Sequence, residues 1–508
     1  MLACAVLPRD LLATLRGSPN LPEAVARLEP AELHTLVRTV GLEDCGDIVA
    51  LASPGQLARV FDADLWRSDR PGLEAQFDAD RFALWLEVLV DAGPAIAADK
   101  LAGLDVDFLT AALTKHLFVF DLGWRLGDRR IDFERSFDVG GYTVATNRSE
   151  SWDAFVDALV ALDAGHPDFL RRLMRECNLA SMEQLEIEMS PGDALDPRAD
   201  QMSDVSLDRE RRRDEQGFVP PTEAAAFLDA AARLNLLGPA VPGLDPLAES
   251  YARRMGAVAP TLGDGPAADV RGADVRALLP GHIPNHSDGA AGRLLLINAH
   301  MRAAYERDAT AYAMRQAELA YLANVLHEGC TFNSRRFSGA EAYEAAGAVT
   351  NLGLEHWPRH WPPITEGFLV GQDLVTVFRV GWSILYERVT LYAVRRLDEA
   401  LTDLIRGDGV PELAGDLSEL RRYLGECVAA GTPWRVCERL DAVAMLDLPT
   451  WALLLGILDR CPVVPRNAGR ATDGKPPLRV NPEVEFISEK RQIEWVRTFV
   501  EGLSSLCS

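Results

Sequence analysis

Four times in the first 115 residues, an apolar residue is followed by a polar or proline-containing break and then by a new apolar helical run. The segments are Leu28–Leu33 (LEPAEL), Leu51–Leu57 (LASPGQL), Phe77–Phe82 (FDADRF) and Leu104–Leu109 (LDVDFL), with starts 23, 26 and 27 residues apart. That spacing fits two short helices per unit, stacked so that each buries its neighbour's apolar face. Ser53, Asp78 and Asp105 are natural N-caps, because their side-chain oxygens accept from otherwise unpaired N–H groups. Pro30 and Pro54 suit the first helical turn. The plain alternative is an ordinary all-helical domain whose short helices give this spacing by chance.

The same rhythm over residues 25–113 resembles the helical superhelix of MgtE-type bacterial magnesium transporters. The resemblance implies a stacked-helix fold. It rests on no ligand residue, and the membrane part of such a transporter has no counterpart here, so transport is not implied.

Beyond residue 115, RRIDFERSFDVGGYTVAT (129–146) alternates apolar and polar residues on both sides of Gly140-Gly141. Paired glycines permit the positive φ angles of a two-residue hairpin turn. Residues 152–188 return to a helical pattern, 190–204 form a polar connector, and LDRERRRDEQGF (207–218) reads as a charged helix ending at Gly217. Residues 219–247 are helical. A Gly/Ala/Pro/Asp-rich loop is expected at 257–292, and helix resumes from Leu294 to Gly329. The clearest periodicity runs from about Thr365 to Ile405, with Leu374, Val377, Phe378, Trp382, Leu385, Val389, Tyr392 and Leu401 near a 3.6-residue repeat. Gly371 and Gly381 within it allow a kink or a close helix contact, and Gly407 and Gly409 close it. A Pro-rich loop (462–483), a short strand at Val484–Ile487 and an amphipathic helix carrying Val496, Phe499, Val500 and Leu503 complete the chain. The fold class expected is mainly α: a stacked short-helix, solenoid-like domain (1–116), one small β-hairpin with helices (117–204), and a larger helical domain (205–508).

The runs LASPGQL…DLW (51–66), RRRDEQGF (211–218), ELAYLAN (318–324), NLGLE (351–355) and VFRVGWSILYE (377–387) also resemble, in outline, an uncharacterised bacterial family known only as a domain of unknown function. That resemblance implies no activity, cofactor or catalytic residue.

Charge narrows the partners. The formal net charge is −24, a field that repels phosphate backbones and anionic lipid, so neither nucleic acid nor a membrane surface is an expected partner. Basic or neutral proteins, small molecules and divalent cations remain. Of 52 basic residues only Lys100, Lys115, Lys475 and Lys490 are lysines. The excess of arginine favours bidentate pairs with carboxylates. Eight cysteines, none in a C-x-x-C pair, read as reduced thiols of a cytoplasmic protein. Cys4 in MLACAVLPRD has no basic or apolar run before it, so a lipoprotein signal is not expected. No apolar run is long and uncharged enough for a transmembrane helix.

The most suggestive chemistry is His327-Glu328-Gly329-Cys330. A zincin needs H-E-x-x-H, which places two imidazoles on one helical face. Here the position four after His327 is Thr331, and Gly329 looks like a helix stop. The plain reading is a histidine placed against the negative end of a helix. Cys330, after a helix C-terminus, is not activated by it. Yet six of nine histidines fall between 282 and 360: His282, His286, His300, His327, His356 and His360. Converging from loops and a helix end, they would suit zinc, or iron if Glu355 joined. The bland alternative is that they never meet. Arg209, Arg211, Arg212 and Arg213 interleave with Asp208, Glu210, Asp214 and Glu215 and read as solvated helix ion pairs. Tryptophans 66, 85 and 382 sit on helical periodicities and read as core, whereas Trp357 and Trp361, flanked by prolines, suit a pocket or interface.

No P-loop, Rossmann fingerprint or G-x-S-x-G is present. The leading expectation is therefore a protein-binding or scaffold protein using the stacked-helix surface of residues 28–109, with no cofactor expected, catalytic residues unknown and the balance leaning away from an enzyme. A metal-dependent enzyme or sensor built on the histidine-rich region is the alternative. Oligomeric state is not legible.

Overall fold

A computed structural model describes residues 12–13, 15–68, 72–122, 134–146, 150–189, 197–215, 218–239, 296–332, 335–337, 339–406, 414–436, 448–466, 468–469 and 484–506. They form two compact units, one of residues 1–69 and 75–215, the other of 70–74 and 216–508.

The first unit begins with seven short helices: α1 (Leu21–Ala26), α2 (Pro30–Val40), α3 (Gly46–Leu51), α4 (Pro54–Asp64), α5 (Ala79–Ala92), α6 (Pro94–Ala102) and α7 (Val106–Leu113). The expected caps are in place. The side chains of Ser53, Asp78 and Asp105 accept from the N–H groups of Gln56, Arg81 and Phe108, and Pro30 and Pro54 open their helices. Gln56 completes a capping box with Ser53, and its amide also donates to the Val25 and Leu28 carbonyls at 3.0 and 2.8 Å. α1 packs on α3, α2 on α4, α3 on α5, and α5 on both α6 and α7.

A strand pair, β1 (Trp66–Arg67) and β2 (Gln76–Phe77), interrupts the stack. Trp66 thus lies on a strand, not on the helix its periodicity suggested. Two-residue strands are too short to leave an alternating signature. Asp64, two residues before β1, is half-buried, with its side chain 9% exposed. It accepts from Arg81 Nε and Trp85 Nε1, each at 2.7 Å, and stands 3.5 Å from His34 Nε2. Burial opposes its ionisation, but these three donors hold the carboxyl well below the usual carboxylate range.

The glycine hairpin forms as expected. Strands β4 (Arg135–Val139) and β5 (Tyr142–Thr146) pair antiparallel across Gly140 and Gly141, at φ +59° and +91°. A third strand, β3 (Phe118–Asp121), adds to the other edge of β5. Helices α8 (Trp152–Gly165), α9 (Pro167–Met189) and α10 (Pro197–Glu215) complete the unit. α10 starts at Pro197, inside the stretch read as a connector, because proline serves as a helix start as readily as a loop residue.

The second unit is built on α11 (Pro221–Ala232), α12 (Leu296–Arg307), α13 (Ala309–Gly329), α14 (Gly339–Glu355), the short α15 (Phe368–Gly371) and α16 (Leu374–Leu385). A π-helical segment, Tyr386–Thr390, joins α16 to α17 (Leu391–Arg406). The continuous helix expected from Thr365 therefore breaks at Gln372-Asp373. Asp373 caps α16, accepting from the Thr376 N–H at 2.6 Å. α14 and α16 cross with their backbones nearly touching at Gly353 and Gly381, so Gly381 serves a close contact. Helices α18 (Ala414–Ala429), α19 (Leu448–Leu458) and α20 (Lys490–Leu506) cover the core. Two further antiparallel pairs close loops: β6 (Thr331–Phe332) with β7 (Arg335–Arg336), and β8 (Val463–Pro465) with β9 (Val484–Phe486). β8 lies in what read as Pro-rich loop, while β9 matches the expected strand. The loop at 257–292 lies outside the described residues.

Arg460 ties this unit together. Its guanidinium donates to the Gly329 carbonyl at the end of α13 (2.8 Å) and to Asp229 of α11 (2.6 Å), and lies 4.7 Å over the Trp434 ring.

Candidate functional site

Of the six histidines between 282 and 360, the structure describes four: His300, His327, His356 and His360. His282 and His286 lie outside the described residues. His327 occupies the last turn of α13, as expected, 3.7 Å from Glu328 Oε1 and 6.0 Å from the Phe218 ring. His300, on α12, packs on Phe368, and burial lowers its pKa. His356 follows α14 with Nδ1 3.5 Å from Arg388, and burial, aided by Arg388 and Lys490, pushes its pKa down to about 4. His360 Nε2 and Trp361 Nε1 each lie 2.9 Å from the Gly238 carbonyl oxygen. Glu355 accepts from the Lys490 N–H at 2.7 Å and so caps α20. Among the described residues no three His, Cys, Asp or Glu side chains converge as a metal site would require. Cys330 is buried, and burial pushes its thiol up to about 12. Trp357 and Trp361 pack edge to face, and Trp357 likewise meets Phe368.

A different feature stands out in the first unit. A cavity of about 470 Å³ opens among α4, α7, α9 and α10. Its apolar lining comes from Ala58 and Phe61 of α4, Leu104 and Phe108 at α7, Leu179 and Ala180 of α9, and Val205 of α10. Leu179 is 53% exposed. Seven carboxylates share the lining: Asp62, Asp105, Asp107, Glu176, Glu183, Asp204 and Asp208. A single guanidinium, Arg212, faces them.

That guanidinium is already engaged. Arg212 forks onto Asp62, Nε to Oδ2 at 2.9 Å and Nη2 to Oδ1 at 2.7 Å. Arg209, one turn earlier, donates to the Asp62 carbonyl at 2.8 Å and lies 4.7 Å over the Trp66 ring. Asp62 thus moors α10 to α4, and the groove owes one wall to that mooring. Two of the four arginines read as solvated are therefore structural. Sequence spacing does not show which face of α10 meets α4. Arg211 keeps the expected pairing with Asp208, at 2.9 Å. Asp107 lies in the densest field: burial and then Asp105, Glu176, Asp208 and Asp204 raise its pKa.

The groove was not singled out from sequence, although a signal exists. Asp204 and Asp208 are four residues apart, and Glu176 and Glu183 seven, so each pair shares a helical face. Like charges at such spacing destabilise an isolated helix.

Comparison with known proteins finds a family model that matches part of the chain. Residues 4–189 match the model of a family of unknown function (DUF6178). The match takes in α4, α7 and α9 of the groove and the LASPGQL…DLW run. The runs at 211–218, 318–324, 351–355 and 377–387 lie beyond it. No curated protein and no solved structure matches the chain, and nothing in these comparisons supports the likeness of residues 25–113 to MgtE-type transporters.

Proposed function

We propose that this chain is a recognition protein whose first unit binds a partner protein at the groove between α4, α7, α9 and α10. The observation that carries the reading is the groove itself: an opening between short helices whose lining joins seven carboxylates to apolar side chains, with Leu179 among them 53% exposed. Stacked helices commonly present such surfaces to partners. The reading requires no cofactor. A reducing compartment such as the cytoplasm suits it, since Cys45, Cys177, Cys330, Cys427 and Cys461 are buried free thiols. The acidic balance of the chain argues against nucleic acid as the partner.

A photo-crosslinking residue at Ala58, inside the groove, tests this against the same residue at Leu84, exposed on α5 away from the groove lining. The expected result in cell extract is one dominant adduct from position 58, abolished when Asp107 and Glu176 are changed to lysine. Equal adducts from both positions, or an adduct indifferent to charge reversal, overturns the proposal.

A further inference from the structure

We infer that the partner segment seated in this groove is a short amphipathic helix, with arginine or lysine turned to the rim and aliphatic side chains turned to the floor; this rests on the partner-binding reading above. The lining carries seven carboxylates against one guanidinium, a charge of −6. Arg212 is forked onto Asp62, and the own-helix arginines Arg175 and Arg211 reach only Glu176 and Asp208. A cation entering the groove therefore relieves existing repulsion, most of all at Asp107.

The floor selects among cations. Leu179, 53% exposed, and the half-buried Phe108 and Ala58 offer apolar surface that the short methylene spacers of a polyamine cover less well than branched aliphatic side chains do. An aliphatic helical face buries it at about 25 cal/mol per Å². The walls are helices, and a helix laid between helices repeats the packing that builds the unit. The volume of about 470 Å³ holds a few side chains, which fits one or two turns of helix. The Asp62–Arg212 fork illustrates the contact that a partner arginine would make with the rim.

Recognition of this kind depends on both salt and pH. Screening weakens it at high ionic strength. Burial and the facing carboxylates Asp105, Glu176, Asp208 and Asp204 raise the pKa of Asp107, and Arg212 shares the lining, so a bound cation favours the ionised Asp107 and affinity rises as Asp107 loses its proton.

The test uses the full chain and a fluorescein-labelled 14-residue peptide with leucines on one helical face and arginines on the other, read by fluorescence anisotropy. A scrambled peptide of equal composition, spermine, and the variants Asp107→Lys/Glu176→Lys/Asp204→Lys and Asp107→Asn/Asp204→Asn complete the set, with thermal melts to confirm folding. The expected outcome is binding by the amphipathic peptide. The scramble should bind at least 10-fold more weakly and the lysine variant at least 30-fold more weakly, with the asparagine variant between. Equal binding of the scramble, or indifference to the variants, reduces the effect to general attraction by an acidic chain and overturns the inference. Displacement by spermine at matching affinity also overturns it, in favour of a small polycation. If no peptide binds but crosslinks from position 58 persist, the helix inference fails and the partner reading stands; if both are silent, both fail.

Discussion

The crossing of α14 and α16 yields the sharpest stability prediction. A methyl group added at Gly381 would stand 1.9 Å from the Val349 carbonyl oxygen, and one at Gly353 would stand 1.9 Å from that of Val377. Ordinary contact begins near 3.4 Å, so either substitution must part the helices by about 1.5 Å. The obstacle is backbone on a packed helix, which cannot swing aside as a side chain would. Overpacking of a core typically costs about 1–3 kcal/mol. A gap of even 0.5–1 Å forfeits roughly a quarter to a half of each dispersion contact along the interface. Alanine returns about 1 kcal/mol through helix propensity. Gly381→Ala should therefore destabilise by about 1–2 kcal/mol, the upper part of the overpacking range less the propensity gain. Gly347 supplies the control, since it lies in α14 but meets nothing within 4 Å. Gly347→Ala should stabilise by roughly 0.5–1 kcal/mol. Urea unfolding followed by tryptophan fluorescence measures both, with Trp382 beside the crossing. If Gly381→Ala matches the wild type, or Gly347→Ala is equally harmful, the close backbone approach is not what sets these helices.

Other consequences follow from buried charge. Glu318 is buried, accepts from the Leu374 N–H at 2.7 Å, and burial raises its pKa to about 7 despite Arg315; burial likewise raises Asp459 to about 7. Both folded-state values exceed their unfolded ones, so their stabilising contribution is complete below about pH 4 and is lost as pH rises through 7. Thermal melts of Glu318→Gln/Asp459→Asn should accordingly fall less than the wild type between pH 5 and 8, and parallel curves would refute the assignment. Arg212→Ala should cost about 1–3 kcal/mol by leaving Asp62 unpaired, and Arg212→Lys should recover little because lysine cannot fork; chemical denaturation measures both. Arg460→Ala should destabilise the second unit by about 3 kcal/mol, having lost the Gly329 carbonyl, Asp229 and Trp434 together, whereas a change under 1 kcal/mol in urea melts would show that the neighbours carry the junction without it.

Much of the architecture was legible because it rests on local chemistry. Ser53, Asp78 and Asp105 cap helices through bonds reaching only three residues ahead. Gly140-Gly141 turns a hairpin because only those two φ angles matter. Legibility fails where a partner is distant in sequence. Asp62 meets Arg212 across 150 residues, and Arg460 meets Asp229 across 231. Neither pairing leaves a trace in spacing. The same holds for short strands such as β1, whose two residues show no alternation, and for the break at Asp373. There a cap interrupts an apolar pattern that runs on unchanged.

The candidate site shows the same division. Histidines drew notice because their side chains bind metals, and the clustering of six between 282 and 360 was real as sequence. Yet His300, His356 and His360 are used separately, against Phe368, Arg388 and Gly238. Their proximity in sequence reflects loops and helix ends that face different neighbours. The acids were overlooked because an exposed Asp or Glu is ordinary in a chain of net charge −24. What sets Asp107, Glu176 and Asp204 apart is convergence: three helices bring them to one opening lined in part by apolar side chains. The fold holds them there, against their mutual repulsion, through a mooring at Asp62. A chain selected only for stability would gain by spreading those charges or by filling the opening. Their convergence beside apolar side chains is the physical reason to look for a cationic, apolar-faced partner at this place before any other on the molecule.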